Sequence, residues 1–194
     1  VIAFRGVQTK RVSVVLVCLL TAACATPTPP ALDATGFERQ GRFAMRAQSP
    51  FEQPKAVQGN FRWQQTPTGW VLSLSSPLGA TLAQLTVDGT GAALRTPEAP
   101  DQRATSATAL LQQAIGEPVP IDALEDWIQG RLGSAKDITE LTRDNVGRVT
   151  GFTQANWQVS FERYDSRGPT RMVLSSQHQQ RDVVLRLVVN QSIQ

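Results

Sequence analysis

Few side chains in this sequence have the type and setting for covalent or proton chemistry. The only histidine is His178. A Ser-His-acid hydrolase needs an activated imidazole base, and His178 lies in the polar run Ser175-Ser176-Gln177-His178-Gln179-Gln180, which reads as an exposed, solvated loop. The acidic pair Glu125-Asp126 falls on the outer side of an amphipathic stretch, where such pairs are solvated rather than catalytic. No glycine-rich phosphate loop of the usual spacing occurs, and no His, Cys or carboxylate cluster has metal-ligand spacing. The sequence therefore predicts no enzyme, no cofactor and no metal. That leaves the two cysteines, Cys18 and Cys24. A thiolate is a strong nucleophile toward carbon electrophiles, and the surroundings of Cys24 suit acylation.

Lys10 and Arg11 precede the apolar run Val12-Ser13-Val14-Val15-Leu16-Val17-Cys18-Leu19-Leu20, and the small residues Ala22-Ala23 lead to Cys24. A basic start, a short apolar run and small residues before a cut site make a secretory leader. The run is well short of the ~20 residues that span a bilayer. The arrangement resembles the bacterial lipobox, with Cys24 as the first mature residue and the carrier of a diacylglyceryl group. Thr21 stands where leucine is commoner in that motif, and Leu20 lies one residue earlier. Residues 1–23 are then a signal peptide and residues 24–35, rich in Pro and Thr, a solvated lipidated tether. In enterobacterial lipoproteins Asp directly after the anchor resembles an inner-membrane retention signal, so Ala25 fits outer-membrane sorting.

This leader changes the reading of charge. The formal net charge is +3, yet Arg5, Lys10 and Arg11 all precede Cys24 and no acid does; 19 bases less these three leave 16, against 16 acids. A neutral remainder gives no electrostatic footprint for nucleic acid. Cys18 leaves with the leader and Cys24 is acylated, so no disulfide is expected.

From Gly36 onward the sequence alternates. Phe43 and Met45 share one face of Gly41–Ala47, and Phe61 and Trp63 one face of Val57–Gln64. Trp70–Ser75, Thr81–Val87 and Ala92–Thr96 continue the period, with Asp88-Gly89-Thr90-Gly91 as a hairpin signal. Period two with aromatic and β-branched residues predicts half-buried antiparallel strands. Ala104–Ile115 then reads as a helix stopped by Gly116, with Leu111, Ile115, Ala107 and Ala114 on one side. After Pro118-Val119-Pro120, a second helix carries Ile121, Leu124, Trp127 and Ile128 and ends near Gly130. Strands return at Ala155–Glu162, Met172–Leu174 and Asp182–Val189. The order predicts a mainly β fold with some α: a curved antiparallel sheet, an incomplete and unclosed β-barrel, covered by a few helices around an apolar space.

Several local patterns together resemble one family, the outer-membrane lipoprotein receptors of the LolB type. They are Phe61-Arg62-Trp63-Gln64-Gln65, Gly69 through Leu74, Ser76-Pro77-Leu78-Gly79-Ala80-Thr81, Ala109-Leu110-Leu111 through Gly116, Pro118-Val119-Pro120, and Leu124 through Gly130. The resemblance spans about Gly36 to Val189 and implies a lipid-binding domain over 36–194. It implies a monomer, anchored by lipid in the outer membrane and facing the periplasm. Such a protein accepts lipoproteins from a LolA-like periplasmic carrier, holds their acyl chains in an apolar cavity and inserts them into the inner leaflet of the outer membrane. The expected cavity residues are Phe61, Trp63, Trp70, Leu72, Leu74, Trp127 and Trp157. Leu78, between Pro77 and Gly79 at a strand break, projects from a tight loop; by the resemblance this loop delivers cargo to the membrane. Two other readings stay open: a lipid-anchored scaffold subunit of an envelope assembly, without a ligand cavity, and a lipid-anchored hydrolase that depends on His178.

Overall fold

A computed structural model of the chain describes residues 36–115, 119–133, 137–178 and 180–190. The expected leader and tether, with Cys24, and also Gly116 and Pro118 lie outside the described residues. Leu32–Gln194 is one compact unit, and the buried apolar residues that hold it together run from Phe43 to Val189, so it carries its own core.

The alternating segments form strands in chain order: β1 Glu38–Ser49, β2 Glu52–Thr66, β3 Gly69–Ser75, β4 Thr81–Asp88, β5 Gly91–Thr96 and β6 Ala99–Ala104. Helices α1 Ala107–Ile115 and α2 Ile121–Trp127 follow, then β7 Thr139–Arg143, β8 Val149–Gln154, β9 Trp157–Asp165, β10 Gly168–His178 and β11 Arg181–Val189. The eleven strands of the described residues belong to one sheet, in the order β6-β5-β4-β3-β2-β1-β11-β10-β9-β8-β7. Every pairing joins sequence neighbours except β1 with β11, and every pairing is antiparallel. The sheet ends at β6 and β7, so it is unclosed.

The register makes one face continuous across the seam between chain ends. Phe43 stands opposite Leu187 and Met45 opposite Leu185, while Phe61 faces Leu74 and Trp63 faces Leu72. A one-residue slip would turn all of these to water, so burial fixes the register. The sheet curves toward this face. Arg39, only 3% exposed, extends from β1 to the carboxylate of Asp165 at the end of β9, donating to both oxygens at 2.7 and 2.9 Å, and to the carbonyl of Pro169 at 2.9 Å. β9 is three strands from β1, beyond side-chain reach in a flat sheet with ~4.8 Å between strands.

The two helices link the sheet's opposite edges and cover its inner face, α1 packing on β5, β6 and α2. The first amides of α1 have no partners within the helix and need outside acceptors. Ser106 Oγ accepts from the Ala109 amide at 3.2 Å, and the Asp122 carboxylate on α2 accepts from Ala107 and Thr108 at 3.3 and 3.2 Å. After α2 the chain turns at Gly130, whose φ of 74° a side chain would strain.

The structure departs from the sequence expectations at the least periodic segments. The first helix begins at Ala107, because Ala104 ends the edge strand β6. β6 and β7 have mostly exposed residues, so no alternation marks them. The run containing His178 is not a loop: Ser175–His178 completes β10 and pairs with Arg181–Val184 of β11. Glu125 and Asp126 are half-buried and engaged: Glu125 accepts from Gln65 Nε2 at 2.9 Å, and Asp126 pairs with Arg131 at 2.8 Å.

The Arg39–Asp165 pair gives the fold a defined acid response. Burial would raise the Asp165 carboxyl, but the Arg39 hydrogen bonds, the Arg167 amide and the guanidinium charge outweigh it and hold the group below the usual aspartate range. A depressed folded value adds stability above the unfolded aspartate pKa of about 3.9, and that stability fades as pH falls through the folded value. Asp165→Asn should lower unfolding free energy at neutral pH by on the order of 2–4 kcal/mol, because Arg39 loses its counter-charge while buried. Denaturation curves at pH 7 and in acid should show the wild type–variant gap shrinking below about pH 4; a gap independent of pH would contradict this role.

Candidate functional site

Two features stand out: an apolar hollow under the helices and a leucine thrust into solvent. Successive turns of an antiparallel meander alternate between the sheet's two ends, so the turn after β3 lies at the end where β1 finishes. Ser76-Pro77-Leu78-Gly79 forms this turn, closed by the Gly79 amide donating to the Ser76 carbonyl at 2.9 Å. Proline in the second position presets its φ. Gly79 takes φ 91° with open space around it. The Ser76 amide donates to the Ala80 carbonyl at 2.7 Å, Ser76 Oγ accepts from the Ala80 amide at 3.1 Å, and Asn60 Nδ2 on β2 donates to the Ser76 carbonyl at 3.1 Å. Gly59 permits this close docking: a Cβ there would come within 2.0 Å of the Ser75 carbonyl oxygen. The loop is thus tied down at its base, and it holds Leu78 with its side chain 98% exposed.

The hollow has a volume of about 280 Å³. β1–β5 and β11 form its sheet wall, with Phe61, Trp63, Leu72 and Leu74 among the lining residues; Leu111, Ile121, Leu124 and Ile128 close it from the helical side. Among the described residues Thr96 is the single polar one in the lining. Lining residues deep in the sheet, Trp63, Leu85 and Leu94, are buried, whereas Met45, Val57, Leu74, Leu82 and Thr96 are partly exposed. The latter group lies toward the end of the sheet that carries Leu78, so the hollow thins toward solvent beside that loop.

Of the seven residues expected to line a cavity, four do. Trp70 does not reach the hollow; it stacks on Trp63 with ring centroids 4.3 Å apart, beside it on the same face of the sheet. Trp127 and Trp157 belong to the other half of the core, where Trp127, Phe152, Phe161 and Tyr164 meet edge to face at 5.4, 5.6 and 6.4 Å. None of these rings lines the hollow. Phe43, Met45, Leu82, Leu85, Leu185 and Leu187 line the hollow and were missed; the same alternation marks them, but nothing in sequence tells a ligand wall from a packed core. Among the described residues no group of His, Cys, Asp or Glu could hold a metal ion.

The fold and site define a class: a helix-covered half-barrel with an apolar pocket and an exposed apolar loop at its mouth. A family model described as "Outer membrane lipoprotein LolB" matches residues 35–191, and the chain belongs to that family. Relatives of that name include the one from Bordetella petrii, 36% identical with 90% of this chain and 88% of the relative covered. The relative from Cupriavidus pinatubonensis is 34% identical, with 74% of this chain and 70% of the relative covered. A solved LolA superfamily protein from Nitrosomonas europaea superposes with a TM-score of 0.43 at 14% identity, covering 79% of this chain and 84% of that one.

The geometry makes a stability prediction. Because Leu78 touches almost nothing, Leu78→Glu should leave the melting temperature within the range of a surface change, about ±0.5 kcal/mol. Trp63→Ala, which empties a fully buried site, should cost about 3–5 kcal/mol. Thermal melts of both variants check this; an unstable Leu78→Glu protein would mean the loop is part of the core.

Proposed function

We propose that the chain is an outer-membrane lipoprotein receptor. It stands on a lipid anchor at Cys24, facing the periplasm, and accepts lipoproteins from a LolA-like carrier. It holds their acyl chains in the hollow and passes them to the inner leaflet of the outer membrane, acting as a monomer. The observation that carries this reading is an almost wholly apolar hollow in a chain of the LolB family. No bond is made or broken in such a transfer. The physical task is to keep acyl chains from water, each buried CH2 being worth about 0.8 kcal/mol. Flexible and aromatic apolar side chains suit a guest that must later leave, because their contacts are numerous and non-directional. The tethered Leu78 loop marks the exit: it stands at the hollow's open end and presents the first apolar atoms a membrane would meet.

Two variants separate the steps. Ala83 lines the hollow on β4, so Ala83→Phe should fill it and reduce uptake of a fluorescent fatty-acid probe at least tenfold while the protein stays folded. Leu78→Glu should take up the probe and lipoprotein cargo normally but fail to deliver cargo to outer-membrane vesicles. Undiminished probe binding by Ala83→Phe would sink the hollow as the acyl site; normal delivery by Leu78→Glu would remove the loop from the mechanism.

A further inference from the structure

The sheet face turned away from the helices carries charge that the fold does not use. Arg42 and Arg46 point outward from β1, and Arg186 points outward from β11 opposite Ala44. Arg186 therefore sits between the other two, which are four residues or ~13 Å apart along the strand. All three are exposed. None has an ion pair or side-chain hydrogen bond among the described residues, although most other arginines here have one: Arg62 pairs with Glu38, Arg95 with Asp101 and Arg171 with Glu162. The nearest outward carboxylate on these two strands, Asp182, stands opposite Gln48 and pairs with none of the three. The patch adjoins the Leu78 loop. Arg42 and Arg186 share an open recess with Gln58, Asn60 and Pro77. Ser75, just before the turn, is opposite Asn60, and Asn60 is opposite Arg42.

We propose that Arg42, Arg46 and Arg186 dock the phosphate groups of membrane lipid headgroups and so seat the Leu78 loop on the bilayer. This rests on the reading that the chain delivers cargo to a membrane. The juxtaposition favours a lipid surface over an acidic protein. A protein partner would need an apolar pit for Leu78 with a wall of carboxylates beside it. A bilayer offers both in layers, phosphates outside and hydrocarbon beneath. A lone leucine side chain seats a protein only weakly on a bilayer, and basic residues beside an apolar contact add an electrostatic attraction to anionic lipids. Cations near an anionic surface each add attraction that salt screens.

The test uses residues 32–194, the unit that carries its own core, with vesicles of phosphatidylcholine alone or mixed with phosphatidylglycerol at roughly three to one. The wild type should bind the mixed vesicles more tightly and lose that preference in high salt. The triple variant Arg42→Gln, Arg46→Gln, Arg186→Gln should bind them roughly a hundredfold more weakly, about fivefold for each charge, with unchanged melting temperature and unchanged fatty-acid uptake. Leu78→Glu should weaken binding to both vesicle types. Equal binding by the wild type and the triple variant would overturn the proposal. So would a triple variant that keeps vesicle binding but no longer captures the periplasmic carrier, which would make the face a protein-docking surface. Arginine-dependent vesicle binding by a protein that takes up no fatty acid would leave the docking surface standing and the receptor reading refuted.

Discussion

The pairing of the first strand with the last is the constraint on which the rest of the molecule depends. β1 and β11 are the central strands of the sheet, and their register sets Phe43 against Leu187 and Met45 against Leu185. Without that seam the chain would be two separate meanders, each with an apolar face too narrow to hide. With it, one inner face runs from β6 to β7, and the helices that bridge the two edges are drawn across it. The hollow's wall crosses the seam, taking residues from β1 through β5 and from β11. The outward arginines cross it too, on the other face. Arg39 and Asp165 then hold the curvature from within.

A hollow is a cost in a folded protein. Empty core space loses roughly 24 cal/mol for each Å³ in cavity-forming mutants, so a hollow of about 280 Å³ is destabilising wherever it is closed and dry. The molecule divides its core to bear this. Where α2 meets β8 and β9, aromatic rings meet edge to face, an arrangement worth more than area burial alone. On the other side aliphatic side chains, Phe43, Phe61 and Trp63 surround space, and Trp70 stacks on Trp63. The stacked pair lets the wall keep its shape without a guest. Neither the Trp63 nor the Trp127 indole nitrogen has a hydrogen-bond partner among the described residues.

The sequence was most legible where a local physical rule decides the outcome alone. The Ser76–Gly79 turn follows from proline in its second position and glycine where φ is positive, and the 98% exposure of Leu78 follows from the turn. Central strands such as Val57–Gln64 followed from period two, because one face is dry and the other wet. Edge strands were not legible: β7 has no dry face. Ser175–His178 looked like a loop because its composition is polar, yet its backbone completes the pairing that Met172–Leu174 begins. The division of the core was illegible for a deeper reason. Trp63 and Trp127 are both fully buried, and alternation or helical period reports only that a residue faces inward. Whether it meets another ring or a void depends on where remote elements lie, here β8, whose Phe152 meets Trp127.

Transfer of cargo from a carrier is the measurement that bears most directly on the central claim. A LolA-like carrier loaded with a labelled lipoprotein is mixed with residues 32–194, and each protein is pulled down separately. If the hollow receives acyl chains, the label moves to this chain without ATP, because a tighter site draws cargo downhill. If the label stays on a carrier that gives it up to a known receptor, the hollow is not an acyl site and the account of this structure is wrong.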